Sequence, residues 1–246
     1  LVIGLAFLTF VTIRTVKQVT SPLAKFARTA RVIAEGNFDV ELPKTDDTEE
    51  LKELRGSFDF MQKELSEYIV HLKETTSAKE KIESELRIAK EIQMGMIPHI
   101  FPPFPNLNQL DLYAKLEPAK EVGGDLYDFF LIDEKHLCFA IGDVSGKGVP
   151  ASLFMAVTRT LLRSLAPRQE STKTVVEALN KSLAQGNESS MFVTFFLGIL
   201  HIETGELQYT NAGHNPPVLK DGQGHTEFFE ITKDIPVGLF EDYKYS

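Results

Sequence analysis

The sequence is poor in the residues that mark several common classes of protein. It has one cysteine, Cys138, so a disulfide framework is excluded and a reducing compartment is indicated. The net charge is −9, which argues against a nucleic-acid partner, because phosphate backbones are bound by basic surfaces. Apolar residues make up 43% of the chain and charged residues 25%, an ordinary globular balance. We therefore expect folded domains with a sizeable core.

Long apolar runs are also scarce, and the one at the N-terminus is short. Residues 1–13 carry no charge, whereas a helix that spans a bilayer needs roughly twenty apolar residues. Basic residues from Arg14 to Arg31 follow this run, and they are typical of the cytoplasmic side of a span. We expect residues 1–13 to be the end of a transmembrane helix that tethers the protein to the cytoplasmic membrane, with the rest in the cytoplasm. A buried helix of a soluble protein is the alternative.

Two helices joined by a connector come next. Apolar residues at helical spacing predict a first helix that starts at Ser21-Pro22 and ends at Gly36-Asn37. The connector FDVELPKTDD has no helical pattern, and a second helix is predicted to begin near Thr48.

A heptad repeat runs through the second helix. Apolar residues recur at alternating steps of three and four from Leu51, and the same count reaches Met96 with polar residues at three positions, including Gln93. A sustained heptad pattern indicates helices that supercoil against a partner. We expect a coiled-coil linker helix over residues 67–97, ended by Pro98, and a parallel homodimer. The apolar positions of the first half are Leu51, Leu54, Phe58, Met61, Leu65, Tyr68 and Leu72.

Residues 14–66 resemble a HAMP signal-relay module. The resemblance depends on Pro22 near the start of the first helix, Pro43 in the connector and the acidic entry to the second helix at residues 46–49. The glycine that is usual in that acidic motif is absent, since Leu51-Lys52 stands there.

After Pro98 the pattern changes to short strand-like runs. LDLYAKLEP, VGGDLYDFFLI and HLCFAIGDV predict three strands, and GVPASLFMAVTRTLLRSLA and TKTVVEALNKSLAQ predict two helices. Two hairpins follow, with turns at Glu203–Glu206 and at Asp221-Gly222. Hairpin runs with two consecutive helices between them indicate an α+β domain with antiparallel sheets.

Two aspartates are the strongest candidates for a site. The loop GDVSGKG resembles a phosphate-binding loop, but its glycine spacing is wrong and Gly148 stands where a hydroxyl residue is required. Asp143 follows an apolar strand, and Asp125 follows two glycines in the preceding strand. Carboxylates beside bare backbone suit a hard cation. If the two strands are neighbours, the two carboxylates would meet at one metal cluster.

EVGGDLYDFF has a rival interpretation. The GGDEF-type turn of diguanylate cyclases has Glu-Phe directly after its acidic residue, where Leu126-Tyr127 stand here. Strand alternation instead places Asp125 and Tyr127 on one face and Leu126 and Asp128 on the other.

EVGGDLYDFF, GDVSGKGVPASLFMA and YTNAGHNPP resemble the metal-dependent serine/threonine phosphatases of the protein phosphatase 2C (PPM) superfamily, in the bacterial branch that regulates sigma factors. The resemblance implies a β-sandwich flanked by helices over residues 98–246 and two Mn²⁺ or Mg²⁺ ions. It further implies that Asp125, Asp143 and the backbone carbonyl of Val144 are metal ligands. The implied substrate is a phosphoserine or phosphothreonine on an anti-sigma-factor antagonist of the STAS type.

Three more residues are candidates on the substrate side of this site. The resemblance puts the TNAGHNPP loop, with Asn211 and His214, near the active site. His214 is a candidate phosphate donor or general acid, since the pKa of histidine lies near neutrality. A turn closed by hydrogen bonds of Asn211 and His214 is the alternative. Lys147 is either an electrostatic attractor for phosphate or a solvated loop lysine.

The family has further metal-binding aspartates in a later Asp-Gly pair, and the chain ends at Ser246 before such an element. We therefore expect a chain truncated at both ends, whose parent is a phosphatase and which itself binds metal poorly. The expected reaction is direct hydrolysis by a water that the ions activate, without a phosphoenzyme. A signalling scaffold that binds its partner without hydrolysing it, and a module whose output is carried by the coiled coil alone, remain open alternatives.

Overall fold

A computed structural model describes residues 2–44, 48–118, 121–230, 232 and 234–246. The chain forms two compact units, one ending at Ile82 and the other comprising Glu83–Ser246. The helices are α1 (Val2–Ala34), α2 (Glu49–Met96), α3 (Val149–Leu165) and α4 (Thr172–Ala184). The strands are β1 (Leu126–Leu131), β2 (His136–Val144), β3 (Val193–His201), β4 (Leu207–Ala212), β5 (Val218–Lys220) and β6 (Thr226–Phe228).

The first unit is helical, as predicted, but one predicted boundary is wrong. α1 runs through Pro22 instead of starting there, because the residues before it are helical as well. The predicted end is confirmed: Gly36 has φ +93° and the amide of Asn37 donates to the carbonyl of Val32, which closes the last turn of α1. α2 starts at Glu49, as predicted. Residues 46 and 47 of the acidic entry lie outside the described part of the chain.

The expected membrane tether is wrong. No helix in the described part of the chain combines the length and the apolar character that crossing a bilayer requires. The predicted localisation at the cytoplasmic membrane is therefore not supported.

The second unit is built on a four-stranded antiparallel sheet in the order β1-β2-β3-β4. α3 and α4 connect β2 to β3, and β5 and β6 form a separate hairpin. Hairpin connections within the sheet and two consecutive helices confirm the predicted α+β class. Both predicted hairpins and both predicted helices are present, with ends that differ by a few residues.

One face of the sheet packs against the helices. Alternate residues of the strands, such as Leu126, Ala140 and Leu197, point to this face and are buried with Met155 of α3 and Val176 of α4. Cys138 is buried in the same cluster, as predicted. This core covers one side of the sheet.

Part of the opposite face is covered by residues 101–114, which include bends and turns. LDLYAKLEP was predicted to be a strand, and this prediction is wrong for the described residues 110–118. Leu110, Leu112 and Ala114 do pack against Phe129 and its buried neighbours on the sheet. The alternation of apolar residues therefore reflects packing onto the sheet, without the hydrogen-bond ladder that defines a strand.

Candidate active site

Asp125 and Asp143 lie side by side at one end of the sheet. β1 and β2 pair antiparallel with Leu126 opposite Gly142, so the next pair in register is Asp125 and Asp143. Asp125 lies just before β1, whereas the sequence placed it inside the strand. The predicted alternation holds, because Leu126 and Asp128 are buried on the helix side while Asp125 is exposed.

The two carboxyl groups interact directly. The pKa of Asp125 is raised, first because the side chain is partly removed from water and then because of the negative charge of Asp143 and a hydrogen bond with it. His214 acts in the opposite direction on the same pKa. A carboxyl group whose ionisation is opposed by a neighbouring carboxylate lies in a site that a cation would stabilise.

Glycine at position 124 allows the backbone of Val144 to approach this pair. A Cβ atom on Gly124 would lie 2.9 Å from the carbonyl oxygen and 2.9 Å from the Cβ of Val144. Real Cβ contacts are not this short, so the close approach requires glycine. The carbonyl of Val144 therefore lies next to the residue that precedes Asp125.

β3 adds a threonine that the sequence analysis did not select. Thr194 is the register partner of Asp143 on β2, and its hydroxyl lies 2.9 Å from Nδ1 of His214. The pKa of His214 is lowered because the ring is about half buried, although the charges of Asp143 and Asp125 oppose this shift. Asp125, Asp143, Thr194 and His214 thus form a row across the end of the sheet, which we call the carboxylate row.

Asn211 has a structural role in this arrangement. It is fully buried on β4, where its Oδ1 accepts from the backbone amide of His214 at 2.7 Å and its Nδ2 donates to the carbonyl of His214 at 2.9 Å. These two bonds close the turn and hold His214 at the end of the carboxylate row. Lys147 is exposed in the loop between β2 and α3.

A second group missed by the sequence analysis lies on the helix side of β1. Asp128 is buried and its Oδ2 accepts from Nε of Arg163 at 2.6 Å, while its Oδ1 accepts from Nη2 at 2.7 Å. Arg159, one turn earlier on α3, lies 3.1 Å from the same carboxylate. The side chain of Asp128 therefore links β1 to α3 through ion pairs. The spacing of two arginines on one helix face was the available signal, but the sequence did not show which acid they face.

The donor atoms fit a hard cation in type but are few. Carboxylate and carbonyl oxygens are the ligands that Mg²⁺ and Mn²⁺ prefer. Asp125 and Asp143 provide carboxylate oxygens side by side, and the carbonyl of Val144 lies beside Gly124. Within the described residues, no group of three or more histidine, cysteine, aspartate or glutamate side chains is placed to hold a metal ion.

The sequence was compared with models of known protein families to identify the domain that contains the carboxylate row. Residues 133–246 match the family model of stage II sporulation protein E (SpoIIE), and residues 14–67 match the HAMP domain. Residues 133–246 are therefore similar to the SpoIIE family. Asp143 and His214 lie inside the SpoIIE match, whereas Asp125 lies before it. The resemblance that the motifs indicated is confirmed: a match to the HAMP domain precedes a match to the SpoIIE family.

Relatives agree with this assignment. The chain is 31% identical over 166 residues to the phosphoserine phosphatase RsbU of Bacillus subtilis, a match that covers 68% of this chain and 48% of RsbU. It is 29% identical over 234 residues to protein IcfG of Synechocystis, with 83% of this chain and 36% of IcfG covered. The chain thus spans between about a third and a half of the length of these relatives.

A solved structure confirms the fold of the SpoIIE-type domain. The SiaA-PP2C domain of Pseudomonas aeruginosa superposes with a TM-score of 0.56 at 18% identity, covering 69% of this chain and 66% of that domain. At this identity the likeness concerns the fold alone. The second unit is therefore a partial PP2C-like fold, as the motifs implied.

Proposed function

We propose that the SpoIIE-type domain is a metal-dependent phosphoprotein phosphatase whose centre is the carboxylate row. The observation that carries the proposal is the register of β1 with β2, which places Asp125 beside Asp143, since two neighbouring exposed carboxylates repel each other without a structural benefit. The name of the relative RsbU, phosphoserine phosphatase, supports the same activity.

In this proposal Asp125, Asp143 and the backbone carbonyl of Val144 hold divalent cations, two Mn²⁺ or Mg²⁺ ions as the family resemblance implies. Bound ions of this kind supply an activated water and offset negative charge on the phosphoryl oxygens. Two carboxylates make an incomplete cage for two ions, so we expect residues 1–246 alone to bind them weakly.

The other residues of the row orient the substrate. His214 is neutral at neutral pH because its pKa is lowered, and a neutral imidazole can donate one hydrogen bond to a phosphoryl oxygen while its other nitrogen contacts Thr194. Lys147, in the loop that follows Asp143, supplies positive charge for the approach of a phosphorylated protein.

Hydrolysis is direct in this proposal. Cys138, the only thiol of the chain, is buried in the core and burial raises its pKa to about 12, so it is no nucleophile at neutral pH. The proposed substrate is a phosphoserine or phosphothreonine on a partner protein such as an anti-sigma-factor antagonist of the STAS type. The HAMP domain and the linker helix form a homodimer that connects this activity to a signalling input.

The test is Asp143→Asn in the intact protein, assayed with a phosphoserine peptide and Mn²⁺. We expect turnover to fall at least a hundredfold while the circular dichroism spectrum is unchanged, because the carboxylate is exposed and supports no core contact. Asp133→Asn, at the other end of β1, is the matched control and should retain turnover. Retained activity in Asp143→Asn would remove this residue from the mechanism.

A further inference from the structure

The last turns of α2 are hydrogen bonded to the segment that carries Asp125. Nε2 of Gln93 donates to the carbonyl of Gly123 at 2.6 Å, and the amide of Gly123 donates to Oε1 of Gln93 at 3.2 Å. One side-chain amide thus satisfies both backbone groups of a residue two positions before Asp125.

A second hydrogen bond involves the side chain of Tyr127, which follows Asp125 in the chain. The hydroxyl of Tyr127, two positions after Asp125, donates to the carbonyl of Pro98 at 2.6 Å. Ile97, between the two contact points on the helix end, is buried in the core. The end of α2 therefore contacts the backbone before Asp125, and the residue that follows Ile97 contacts a side chain after it.

Gln93 is an unusual residue for its position. It occupies a heptad position that favours an apolar side chain, and it is 5% exposed. Burying an amide costs free energy unless its donors and acceptors are paired. Residues 121–125 precede β1 and are not part of its hydrogen-bond ladder with β2. The two hydrogen bonds from Gln93 therefore restrain the backbone at Gly123, as the ladder restrains the backbone within β1.

We propose that Gln93 is a positioning residue for Asp125. By holding Gly123 it sets the distance of the Asp125 carboxylate from that of Asp143, and so it sets the affinity of the carboxylate row for a divalent cation. Gln93 contacts neither cation nor substrate and acts only through the backbone of Gly123. The inference rests on the proposed function.

Gln93→Met in the intact protein tests this inference, because methionine keeps the length of the side chain and removes both hydrogen bonds. We expect faster amide hydrogen exchange over residues 121–126 and Mn²⁺ binding weakened about tenfold, the usual effect of losing a residue that orients a metal ligand. At saturating Mn²⁺, kcat should stay close to that of the unmutated protein. Glu91→Met, exposed on the same turn of α2, is the matched control and should change neither quantity.

Tyr127→Phe provides a second variant, since it removes the other bond and keeps the ring. It should speed exchange in the same segment even if Gln93→Met does not fold. Unchanged exchange over residues 121–126, or unchanged Mn²⁺ affinity, in a folded Gln93→Met protein would overturn the inference. Failure of the unmutated protein to bind Mn²⁺ or to hydrolyse phosphoserine would instead overturn the proposed function. The exchange experiment would still show whether the hydrogen bonds between Gln93 and Gly123 restrain the backbone.

Discussion

At the scale of single residues, the proposed site consists of two neighbouring carboxylates. Asp125 and Asp143 could be selected from sequence because each is an acid that follows glycine, one at the start and one near the end of an apolar strand. Thr194 and Gln93 could not, because a threonine in a strand and a glutamine in a heptad have common structural explanations. Only the register of β2 with β3 and the end of α2 show which groups they contact.

The raised pKa of Asp125 predicts how stability depends on pH in the metal-free protein. Its carboxyl group stabilises the fold below the unfolded pKa of about 4, and this contribution is lost as the pH rises through the raised value. Asp125→Asn should therefore raise the melting temperature at pH 7 by roughly 1–3 °C and leave it unchanged near pH 4. Differential scanning calorimetry in the presence of a chelator measures both values.

Asp133 provides a control, because its pKa is shifted in the opposite direction to that of Asp125. Its pKa is lowered by the backbone amide of Lys135 and by His136, so its carboxylate stabilises the fold above pH 4 and loses this effect as the pH falls. Asp133→Asn should thus lower the melting temperature at pH 7. A decrease at pH 7 in both variants would contradict the repulsion that we infer between Asp125 and Asp143.

At the scale of elements, period-two alternation predicted which faces of the strands are buried but not which segments pair. The segment over residues 110–118 alternates as regularly as β1, yet its apolar side chains pack on the sheet without a ladder. The hydrogen-bond partner of a strand is a long-range property, and no local pattern encodes it. Close approaches such as that of Gly124 to Val144 are equally invisible in the sequence.

Gly123 and Gly124, which precede Asp125, differ in how much space a side chain would have. Gly124→Ala would place a Cβ 2.9 Å from the carbonyl of Val144, so we expect a shift of the backbone, a destabilisation of about 1–3 kcal/mol and clearly weaker Mn²⁺ binding. Gly123→Ala is the matched control, since its Cβ would meet only Pro118 at 3.7 Å and its backbone bonds to Gln93 remain. Isothermal titration and urea unfolding measure the two effects. Equal Mn²⁺ affinity in both variants would contradict the role of the Val144 carbonyl.

At the scale of the whole molecule, the sequence predicted a helical region followed by a phosphatase-like domain, and the comparisons confirm both families. The prediction of a membrane tether was wrong. A short apolar run followed by basic residues is typical of a span end, but no helix in the described residues is long and apolar enough for one.

The linker helix predicts the association of whole chains. Leu65 and Leu72, on the heptad seam of α2, are 39% and 47% exposed in the single chain. Replacing both by lysine should convert a dimer to a monomer, because a charged seam cannot be buried against a partner helix. Val70→Lys, exposed outside the seam, should leave the dimer intact. Light scattering after size exclusion measures the mass, and a dimer that persists in the double variant would contradict the proposed coiled coil.

The central claim is that Asp125 and Asp143 share one cation site. Its most direct test is a Mn²⁺ titration, followed by electron paramagnetic resonance of the free ion, of the intact protein, Asp125→Asn, Asp143→Asn and the double variant. We predict that either single change removes most of the affinity and that the double change adds little, as for residues that act on one ligand together. Additive losses, or an affinity that neither change affects, would show that the two carboxylates do not hold the same ion.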